Sequence, residues 1–489
     1  MSIEEFLNGT LADAFFTVDN YFWGIAFAFI IGLGIVFTVK LKGMQILRIK
    51  HTSSLALSGI QEGATTKKIS SFEAFCIGMG ARIGVGNIAG VATAIVAGGP
   101  GAVFWMWIFA IIGSASAFME STLAQIYKEK KSDGQFYGGP AYYAQKGLGS
   151  RKLGVLAAIL LVLTFGIGFV AVQSCNASTA LCGAFVFDNN NYVFAAIIAV
   201  VAAILIFKGL KMVAKFSSKV VPIMAVAWII FALIAIILNI GGVVNAFYMI
   251  FTYAFNWDSV FGGGIGVIIV TGLKRGIFSN EAGLGSVANI AATADVPHPV
   301  KQGKIQSFGV LVDTLIVCTI TALVVLSYGD YYTITHTWGE FVGGEWESVA
   351  GAKLVQNIVA STAFGDAAKY IIAIFMFVFA FTSLIGYYTM SEANARFIKD
   401  DKKVILAIQI LVIVDAFLAA CVTDVNIMDA FSDTFMAIMA SVNMILCALL
   451  SRKAFEAYAD YRAQKKAGIE EPVFHRDTLS DATGVTEWE

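Results

Sequence analysis

Long apolar runs, separated by short polar segments, dominate the hydrophobic pattern of the chain. A membrane-spanning helix needs about 20 consecutive, mainly apolar residues. By this criterion the pattern predicts eleven spans. They lie at about 21–41, 72–97, 101–127, 153–182, 191–210, 216–240, 262–294, 304–328, 366–394, 404–422 and 427–450. A further apolar stretch at 244–257 is too short to cross a bilayer, and we expect it to form a helix at the outer rim.

Glycine and charged residues interrupt two of these spans. Residues 80–90 read GARIGVGNIAG inside the span 72–97, and residues 275–286 read RGIFSNEAGLGS inside the span 262–294. Glycine destabilises a helix interior by roughly 1 kcal/mol relative to alanine, and an arginine at bilayer depth costs at least about 2.5 kcal/mol. Irregular backbone is tolerated at this depth only where protein or a water-filled cavity satisfies its polar groups. We therefore expect both helices to be broken.

The two interruptions occupy corresponding places in the chain. If the first span is set aside, ten spans remain in two sets of five, and each set begins with an interrupted helix that enters from the opposite side. This arrangement indicates an inverted-repeat transporter, although glycines also serve close helix packing in membranes. The predicted fold class is an all-α polytopic membrane protein with 11 transmembrane helices. It combines a 5+5 inverted repeat, containing two broken helices, with one N-terminal helix.

Lysine and arginine predict the orientation and the parts of the molecule. They cluster in alternate loops, while the intervening loops carry only Lys353 and Lys369, which places the N-terminus outside and the C-terminus in the cytoplasm. We expect the polar tail from about 455 to form a short helix followed by disorder. The predicted parts are an extracellular N-terminus (1–20), an extra helix and cytoplasmic loop (21–71), the two repeats (72–240 and 241–450) and a cytoplasmic tail (451–489).

Composition narrows the class of function. The chain is 58% hydrophobic and 14% charged, against roughly 25% charged in soluble domains, so the lipid bilayer is its expected surrounding. A net charge of −1 without a basic cluster indicates no nucleic-acid partner, and no obligatory protein partner is evident. The six cysteines fall inside spans, and the four histidines form no metal motif. A passive channel would need a continuous polar stripe, and an intramembrane enzyme would need a nucleophile–base or paired-carboxylate motif. Neither pattern is present, and no enzymatic activity is expected.

The interruptions supply candidate groups for a zwitterion. Free N–H groups at Val85, Gly86 and Asn87 suit a carboxylate, because the start of a half-helix is a natural anion site. The unwound carbonyls around 278–281 suit an ammonium group, with possible help from the Asn280 side chain. The residues assigned to the ammonium group are Phe278, Ser279 and Asn280.

Oxygen atoms near the first interruption suit a sodium ion. Sodium needs several hard oxygen ligands and no obligatory carboxylate. Thr382 and Ser383 offer two hydroxyl groups, and the carbonyls of Gly80, Ile83 and Phe379 can complete the shell. The alternative is that Thr382 and Ser383 only bond back to carbonyls of their own helix.

Four ionisable groups are predicted at bilayer depth, where such groups need partners. They are Arg82, Glu120, Glu281 and Asp313. We assign them structural polar roles. Glu120 is expected to accept hydrogen bonds from unwound backbone or from Arg82 and so to hold the breaks in register.

Three segments carry a resemblance to a known family. Residues 80–95, 98–107 and 275–286 resemble the alanine or glycine:cation symporter family, and the resemblance extends over roughly residues 20–450. It implies the fold of the bacterial leucine transporter plus one N-terminal helix. It also implies sodium-coupled uptake of small neutral amino acids, most of all alanine and glycine, across a prokaryotic cytoplasmic membrane. A proton-coupled transporter, or one for other substrates on this fold, stays open.

The same resemblance implies roles for side chains outside the interruptions. Phe165, Phe169, Gln173 and Asn176 share one helical face by their spacing, and by resemblance Phe169 and Gln173 line the substrate. An interhelical amide contact is the structural alternative for Gln173. The family usually has threonine where this chain has Val85, which removes a hydroxyl group. It often has tryptophan where this chain has Tyr387, whose ring would still cap the pocket.

Overall fold

The structure is a computed structural model that describes residues 12–62, 68–185, 190–255, 265–328, 340–342, 345–347, 351–422 and 426–489. In chain order, its first nine helices are α1 (Ala12–Lys40), α2 (Met44–Leu47), α3 (Ile49–Glu62), α4 (Ser71–Arg82), α5 (Ala89–Gly98), α6 (Gly101–Ile126), α7 (Pro140–Leu148), α8 (Arg151–Ala184) and α9 (Asn190–Ile206). The others are α10 (Leu210–Leu238), α11 (Ile240–Ala254), α12 (Ile265–Asn280), α13 (Ser286–Thr293), α14 (Pro299–Leu326), α15 (Gly351–Ala360), α16 (Ala367–Ile398), α17 (Lys402–Cys421) and α18 (Asn426–Lys466). Two small antiparallel hairpins pair β1 (Glu129–Lys130) with β2 (Phe136–Tyr137), and β3 (Glu340–Val342) with β4 (Glu345–Glu347).

Eight helices of the described chain are long and apolar enough to cross a membrane. They are α1 over Tyr21–Lys40, α6, α8, α10, α14, α16, α17 and α18 over Met428–Lys466. The other three predicted spans correspond to shorter helices: α4 with α5, α9, and α12 with α13. An all-α polytopic membrane protein is therefore confirmed, while the count of eleven crossings and the 5+5 repeat stay predictions. The described residues do not include 1–11 of the predicted N-terminus, 256–257 of the predicted outer-rim helix or 262–264 of the predicted interrupted span.

The first interruption separates α4 from α5, as predicted. A capping box starts α4, because Ser70 Oγ accepts the Glu73 N–H and the Glu73 carboxylate accepts the Ser70 N–H. The helix ends at Arg82. Gly84 is extended, with φ −119° and ψ −161°, and a single 3₁₀ turn over Val85–Asn87 leads into α5. The break therefore releases the Val85 N–H to a partner on another helix, whereas the Asn87 N–H, predicted to be free, donates to the Gly84 carbonyl over 3.2 Å because the 3₁₀ turn closes on itself.

The second interruption separates α12 from α13, also as predicted. Helix α12 ends at Asn280, and the next residue, Glu281, has a left-handed backbone with φ +57°. Gly283 and Gly285 are left-handed too, at +86° and +73°. Glycine adopts this region without the steric penalty that a side chain brings, which explains the glycine-rich sequence here.

Several surface elements were not predicted. Helix α3 lies in the segment interpreted as a cytoplasmic loop, and α7 and α15 lie in other predicted loops. Helix α1 begins at Ala12 rather than near residue 21. These elements are too short or too amphipathic to appear in a search for long apolar runs.

The prediction of a disordered tail is wrong. Helix α18 continues to Lys466, and residues 467–489, here called the C-terminal segment, pack against the helix ends. The Phe474 N–H donates to the Pro297 carbonyl over 2.9 Å, and Trp488 Nε1 donates to the Gln125 carbonyl over 3.0 Å. The segment is polar on average, but its few apolar side chains, such as Phe474 and Val485, are buried. The average composition of the segment does not reveal these few buried apolar side chains.

Trp488→Ala is expected to release the C-terminal segment. The Trp488 ring lies 5.3 Å from the Phe474 ring and 4.5 Å from Lys128 Nζ, and these contacts are lost in alanine. A loss of about 1.4 kcal/mol would raise the open population about tenfold. Trypsin cleavage after Arg476, followed by mass spectrometry, measures this opening. Ile469→Ala removes an exposed side chain of the same segment and should leave cleavage unchanged. Equal cleavage in all three proteins would contradict the prediction.

Candidate functional site

The N–H groups of the first interruption face helix α8. The Val85 N–H donates to Gln173 Oε1 over 2.9 Å, while the Gly84 N–H donates to Asn87 Oδ1 over 2.9 Å. Gln173 Nε2 in turn donates to the Tyr387 hydroxyl over 3.3 Å. The structure thus brings together three predicted site residues from three helices. The carboxamide oxygen of Gln173 lies where a substrate carboxylate oxygen could accept the same N–H.

Aromatic rings enclose this place. Phe169 and Phe278 stack with centroids 4.6 Å apart, and Phe165 lies 4.5 Å from Phe169. Tyr387 meets Phe169 edge-on at 5.5 Å. A Cβ atom on Gly86 would lie 3.0 Å from the Phe278 ring, so Gly86 is the residue that lets the interruption approach this cluster. All four rings are buried, and the place that they border beside Gln173 is here called the Gln173 compartment.

Oxygen atoms gather where α4 ends against α16. Ser383 Oγ donates to the Gly80 carbonyl over 2.9 Å, across from one helix to the other. Thr382 Oγ1 donates to the Phe379 carbonyl of its own helix over 3.0 Å. Thr382 therefore bonds back to its own helix, which is the alternative named above, whereas Ser383 bonds across to α4. Ile83 is buried at the same end of α4.

The chemistry of this oxygen set suits a hard monovalent cation. It consists of hydroxyl and carbonyl oxygens without a carboxylate. Throughout the described chain, no group of three or more His, Cys, Asp or Glu residues could hold a metal ion. Softer transition metals prefer thiolate or imidazole ligands, which are absent from this oxygen set.

A hydrogen-bond network joins the two interruptions through α14. Asn87 Nδ2 donates to Asp313 Oδ1, and Ser279 Oγ donates to Asp313 Oδ2, both over 2.7 Å. Asn280 Nδ2 donates to Thr314 Oγ1 over 3.0 Å, and its Oδ1 accepts the Ala282 N–H. The side chains of Ser279 and Asn280 therefore point to α14 and not to the Gln173 compartment. This differs from the predicted help of the Asn280 side chain at the ammonium group.

Arg82 and the two glutamates fix the interruptions against each other. Arg82 Nε donates to the Asn280 carbonyl over 2.8 Å, and Arg82 Nη1 donates to the Gln306 carbonyl over 3.0 Å. Glu281 Oε2 accepts the Ser286 hydroxyl within the second interruption.

Glu120 holds the second interruption from helix α6. Its Oε2 accepts the Gly285 N–H over 2.9 Å and Asn443 Nδ2–H over 2.8 Å. Unwound backbone and Arg82 were the two predicted partners of Glu120. In the described chain, Glu120 accepts its predicted hydrogen bond from the backbone, at Gly285. Sequence reasoning missed Asn443 and Gln306, although an amide inside an apolar span is a usable signal for a buried polar contact.

A cavity of about 230 Å³ lies beside the first interruption. Helices α5, α8, α12 and α15 contribute to its walls, which include Val85, Asn176 and Phe278. Arg275 and Asp429 border it and form an ion pair with 3.4 Å between Nη2 and Oδ2. The cavity therefore borders both the first interruption, at Val85, and the ion pair of Arg275 with Asp429.

Comparisons with known proteins give matches over most of the chain. A family model described as the sodium:alanine symporter family matches residues 8–476. Two similar proteins come from Bacillus subtilis (strain 168). The probable sodium/glutamine symporter GlnT is 44% identical over 462 residues, covering 94% of this chain and 92% of GlnT. The amino-acid carrier protein AlsT is 42% identical over 471 residues, covering 96% of each chain.

A solved structure shows the fold. The crystal structure of MhsT in complex with L-phenylalanine aligns with a TM-score of 0.57 at 12% identity, covering 79% of this chain and 90% of MhsT. At this identity the likeness concerns the fold alone, and it confirms the predicted leucine-transporter-like fold. The relatives are transporters and not enzymes, as predicted.

Proposed function

The chain belongs to the sodium:alanine symporter family, and we propose that it takes up alanine or glycine together with sodium. The observation that carries this proposal is the Val85 N–H at the first interruption, which Gln173 Oε1 accepts at 2.9 Å. A substrate carboxylate is a stronger acceptor than a carboxamide, because charge-assisted hydrogen bonds are about twice as strong. The substrate therefore displaces the Gln173 oxygen from Val85.

The substrate lies between the interruptions. Its carboxylate binds the N–H groups of Val85, Gly86 and Asn87, the last of which leaves the Gly84 carbonyl to do so. Its ammonium group binds the carbonyls of Phe278 and Ser279, which lie in the last turn of α12. The Asn280 carbonyl is less suited, since it already accepts from Arg82. Phe169, Gln173 and Tyr387 border the substrate side chain. Val85 adds methyl groups and no hydroxyl, which favours a small apolar side chain.

Sodium binds at the end of α4. Its proposed ligands are the carbonyls of Gly80, Ile83 and Phe379 and the hydroxyls of Thr382 and Ser383. The support for this site is the contact of Ser383 with Gly80, two residues that lie 303 positions apart in sequence. Arg82, Glu120, Glu281 and Asp313 stay outside both sites and hold the interrupted helices.

Transport proceeds by alternating access, in which the two five-helix halves rock about the central site. One sodium crossing with a neutral zwitterion moves one charge, which is worth about 2.3 kcal/mol at 100 mV. This alone supports roughly fifty-fold accumulation. The protein is a multi-pass protein of the prokaryotic cytoplasmic membrane, with eleven crossings, the N-terminus outside and the C-terminus inside.

Labelled L-alanine uptake into proteoliposomes tests the proposal. Uptake is expected with an inward sodium gradient and not with a potassium or proton gradient of equal size. Gln173→Ala should lower this uptake at least about tenfold, because it removes the side chain that contacts Val85 and Tyr387. Thr164→Ala, on the same helix α8, removes a hydroxyl that donates to the Leu160 carbonyl of its own helix, and it serves as the control because Thr164 does not line the cavity beside Val85.

The outcomes separate the rival substrates and coupling ions. Uptake driven by protons alone would overturn the sodium site. The identity to GlnT makes glutamine the second candidate substrate, and stronger inhibition of alanine uptake by unlabelled glutamine than by unlabelled alanine would favour it. The aromatic rings of the Gln173 compartment predict the opposite order.

A further inference from the structure

A second cavity, of about 490 Å³, lies far from the transport site along the chain and between four segments. Helix α3, the start of α14 and the end of α18 form its walls together with the C-terminal segment. Its lining includes His51, Pro297, His298, Lys301, Tyr461 and Lys465. Neither the substrate nor the sodium proposal uses any of these residues.

Four basic side chains without carboxylate partners in the described chain lie in or near this cavity, and one of them, Lys465, lines it. Arg48, Lys304 and Lys465 lie within electrostatic range of His51, and Arg462 lies within range of Lys304. In the part of the chain that the structure describes, no carboxylate oxygen lies within 4 Å of these four side chains. Lys304 is only 1% exposed, and its Nζ lies 4.4 Å over the Tyr461 ring. Burying an ammonium group without a counter-charge is unfavourable.

The acidic groups facing the cavity are mostly engaged elsewhere. Asp460 Oδ2 lies 3.2 Å from His298 Nε2 and accepts from Gln464 Nε2 over 2.7 Å. Glu471 pairs with Lys301 at 3.5 Å. The Asp460 and Glu470 carboxylates are therefore left to offset the four basic side chains, which still outnumber them.

His51 adds a neutral donor to this cavity. Burial, followed by the charges of Lys304, Lys465 and Arg48, lowers the pKa of His51 to about 4. The ring is therefore uncharged at neutral pH and offers one N–H. Its Nδ1 is buried and has no hydrogen-bond partner in the described chain.

The surroundings of the cavity favour a membrane lipid as the source of an anion. Next to it, α2 and α3 expose Ile46, Leu47 and Leu57, with Leu47 at 79% exposure. A helix with exposed apolar residues beside basic ones lies in the plane of the membrane interface, at the level of the headgroups. Basic pockets at this level bind phosphate-bearing headgroups.

We propose that this cavity binds a phosphate group, supplied by the headgroup of an anionic phospholipid. Lys465 contacts the phosphate, His51 donates a hydrogen bond to it, and Arg48 adds positive charge from within electrostatic range of His51. The inference goes beyond the proposed transport function and does not depend on which substrate or coupling ion is carried.

Lipid binding to the purified, delipidated protein in detergent tests this site. Dioctanoyl phosphatidylglycerol, dioctanoyl phosphatidylcholine and inorganic phosphate are added separately, and binding is followed by native mass spectrometry and by the melting temperature. Arg48→Gln/Lys465→Gln should bind phosphatidylglycerol about 30-fold more weakly than the wild type, which corresponds to about 1 kcal/mol for each charge removed. Lys215→Gln/Lys219→Gln removes the same charge from exposed lysines of α10 and should bind it like the wild type.

The melting temperature without lipid provides a second readout. Because the two altered cations have no carboxylate partners, their removal should leave this temperature unchanged or raise it, whereas a structural role would lower it. Stabilisation by inorganic phosphate without selectivity for phosphatidylglycerol would support the phosphate site with a soluble source. Equal binding of phosphatidylcholine and phosphatidylglycerol, or equal losses in both double variants, would overturn the proposal. Since no transport is measured, failure here is independent of failure of the proposed function.

Discussion

Gly84→Ala is expected to lower sodium-driven alanine uptake by about 100-fold or more. A Cβ atom at this position would lie 2.5 Å from Ser383 Oγ and 2.6 Å from Gln173 Nε2, which is closer than non-bonded atoms allow. Both neighbours must therefore move, Ser383 from the Gly80 carbonyl and Gln173 from Val85. Displacements of about 1 Å in a binding site cost about this much in rate. Initial uptake rates in proteoliposomes, normalised to the amount of reconstituted protein, measure the effect.

The backbone does not confound this test. Gly84 has φ −119° and ψ −161°, which alanine adopts without strain. Gly32→Ala provides the matched control, because a Cβ atom at Gly32 in α1 would meet nothing within 4 Å and Gly32 does not line the cavity beside the first interruption. We expect Gly32→Ala to transport like the wild type. Normal uptake by Gly84→Ala would show that neither the Ser383 nor the Gln173 contact matters for transport, and it would remove both proposed sites.

The two broken helices were predictable because their signal is local. Four glycines and an arginine within residues 80–90 oppose a continuous helix wherever the chain folds. The same holds for the left-handed positions at Gly283 and Gly285. Local backbone energetics are decided by neighbours in sequence, so a single sequence carries them.

The partners of the polar residues were less predictable. Arg82 was expected to need a partner, but its bonds to the Asn280 and Gln306 carbonyls depend on how α4 packs against α12 and α14. Asn280 was assigned to the ammonium group from its position in the break, whereas its rotamer directs the side chain to Thr314. Such contacts join residues about 200 positions or more apart, or depend on one torsion angle, and no periodic pattern reports them.

Surface packing was the least predictable part. The C-terminal segment is polar on average and was expected to be disordered, yet Phe474 and Trp488 each find a place on the helix ends. The stabilisation depends on a few apolar side chains meeting complementary surface, and composition averages over them. The basic cavity next to this segment could not be anticipated for the same reason, because its basic side chains come from three separate segments of the chain.

Ser383→Ala is expected to raise the sodium concentration for half-maximal uptake by roughly 10- to 100-fold. The hydroxyl group lies 2.9 Å from the Gly80 carbonyl, so both oxygens face the same place at the end of α4. Losing one oxygen from a charged ligand costs about 1.5 to 3 kcal/mol, which corresponds to this range. The sodium dependence of initial alanine uptake measures the shift. The alanine KM at saturating sodium should change much less, since the Val85 and Gln173 contacts are retained.

Substitutions of two threonines of α16 distinguish a sodium ligand from a residue whose hydroxyl bonds only to its own helix. Thr389→Ala removes a buried hydroxyl that donates to the Ile385 carbonyl, and it should leave the sodium dependence unchanged. Thr382 also donates to its own helix, at Phe379, but lies next to Gly80. Thr382→Ala should therefore shift the sodium dependence in the same direction as Ser383→Ala if both hydroxyls bind sodium. A Ser383→Ala protein with unchanged sodium dependence would refute this site, because the contact between α4 and α16 would then serve packing alone.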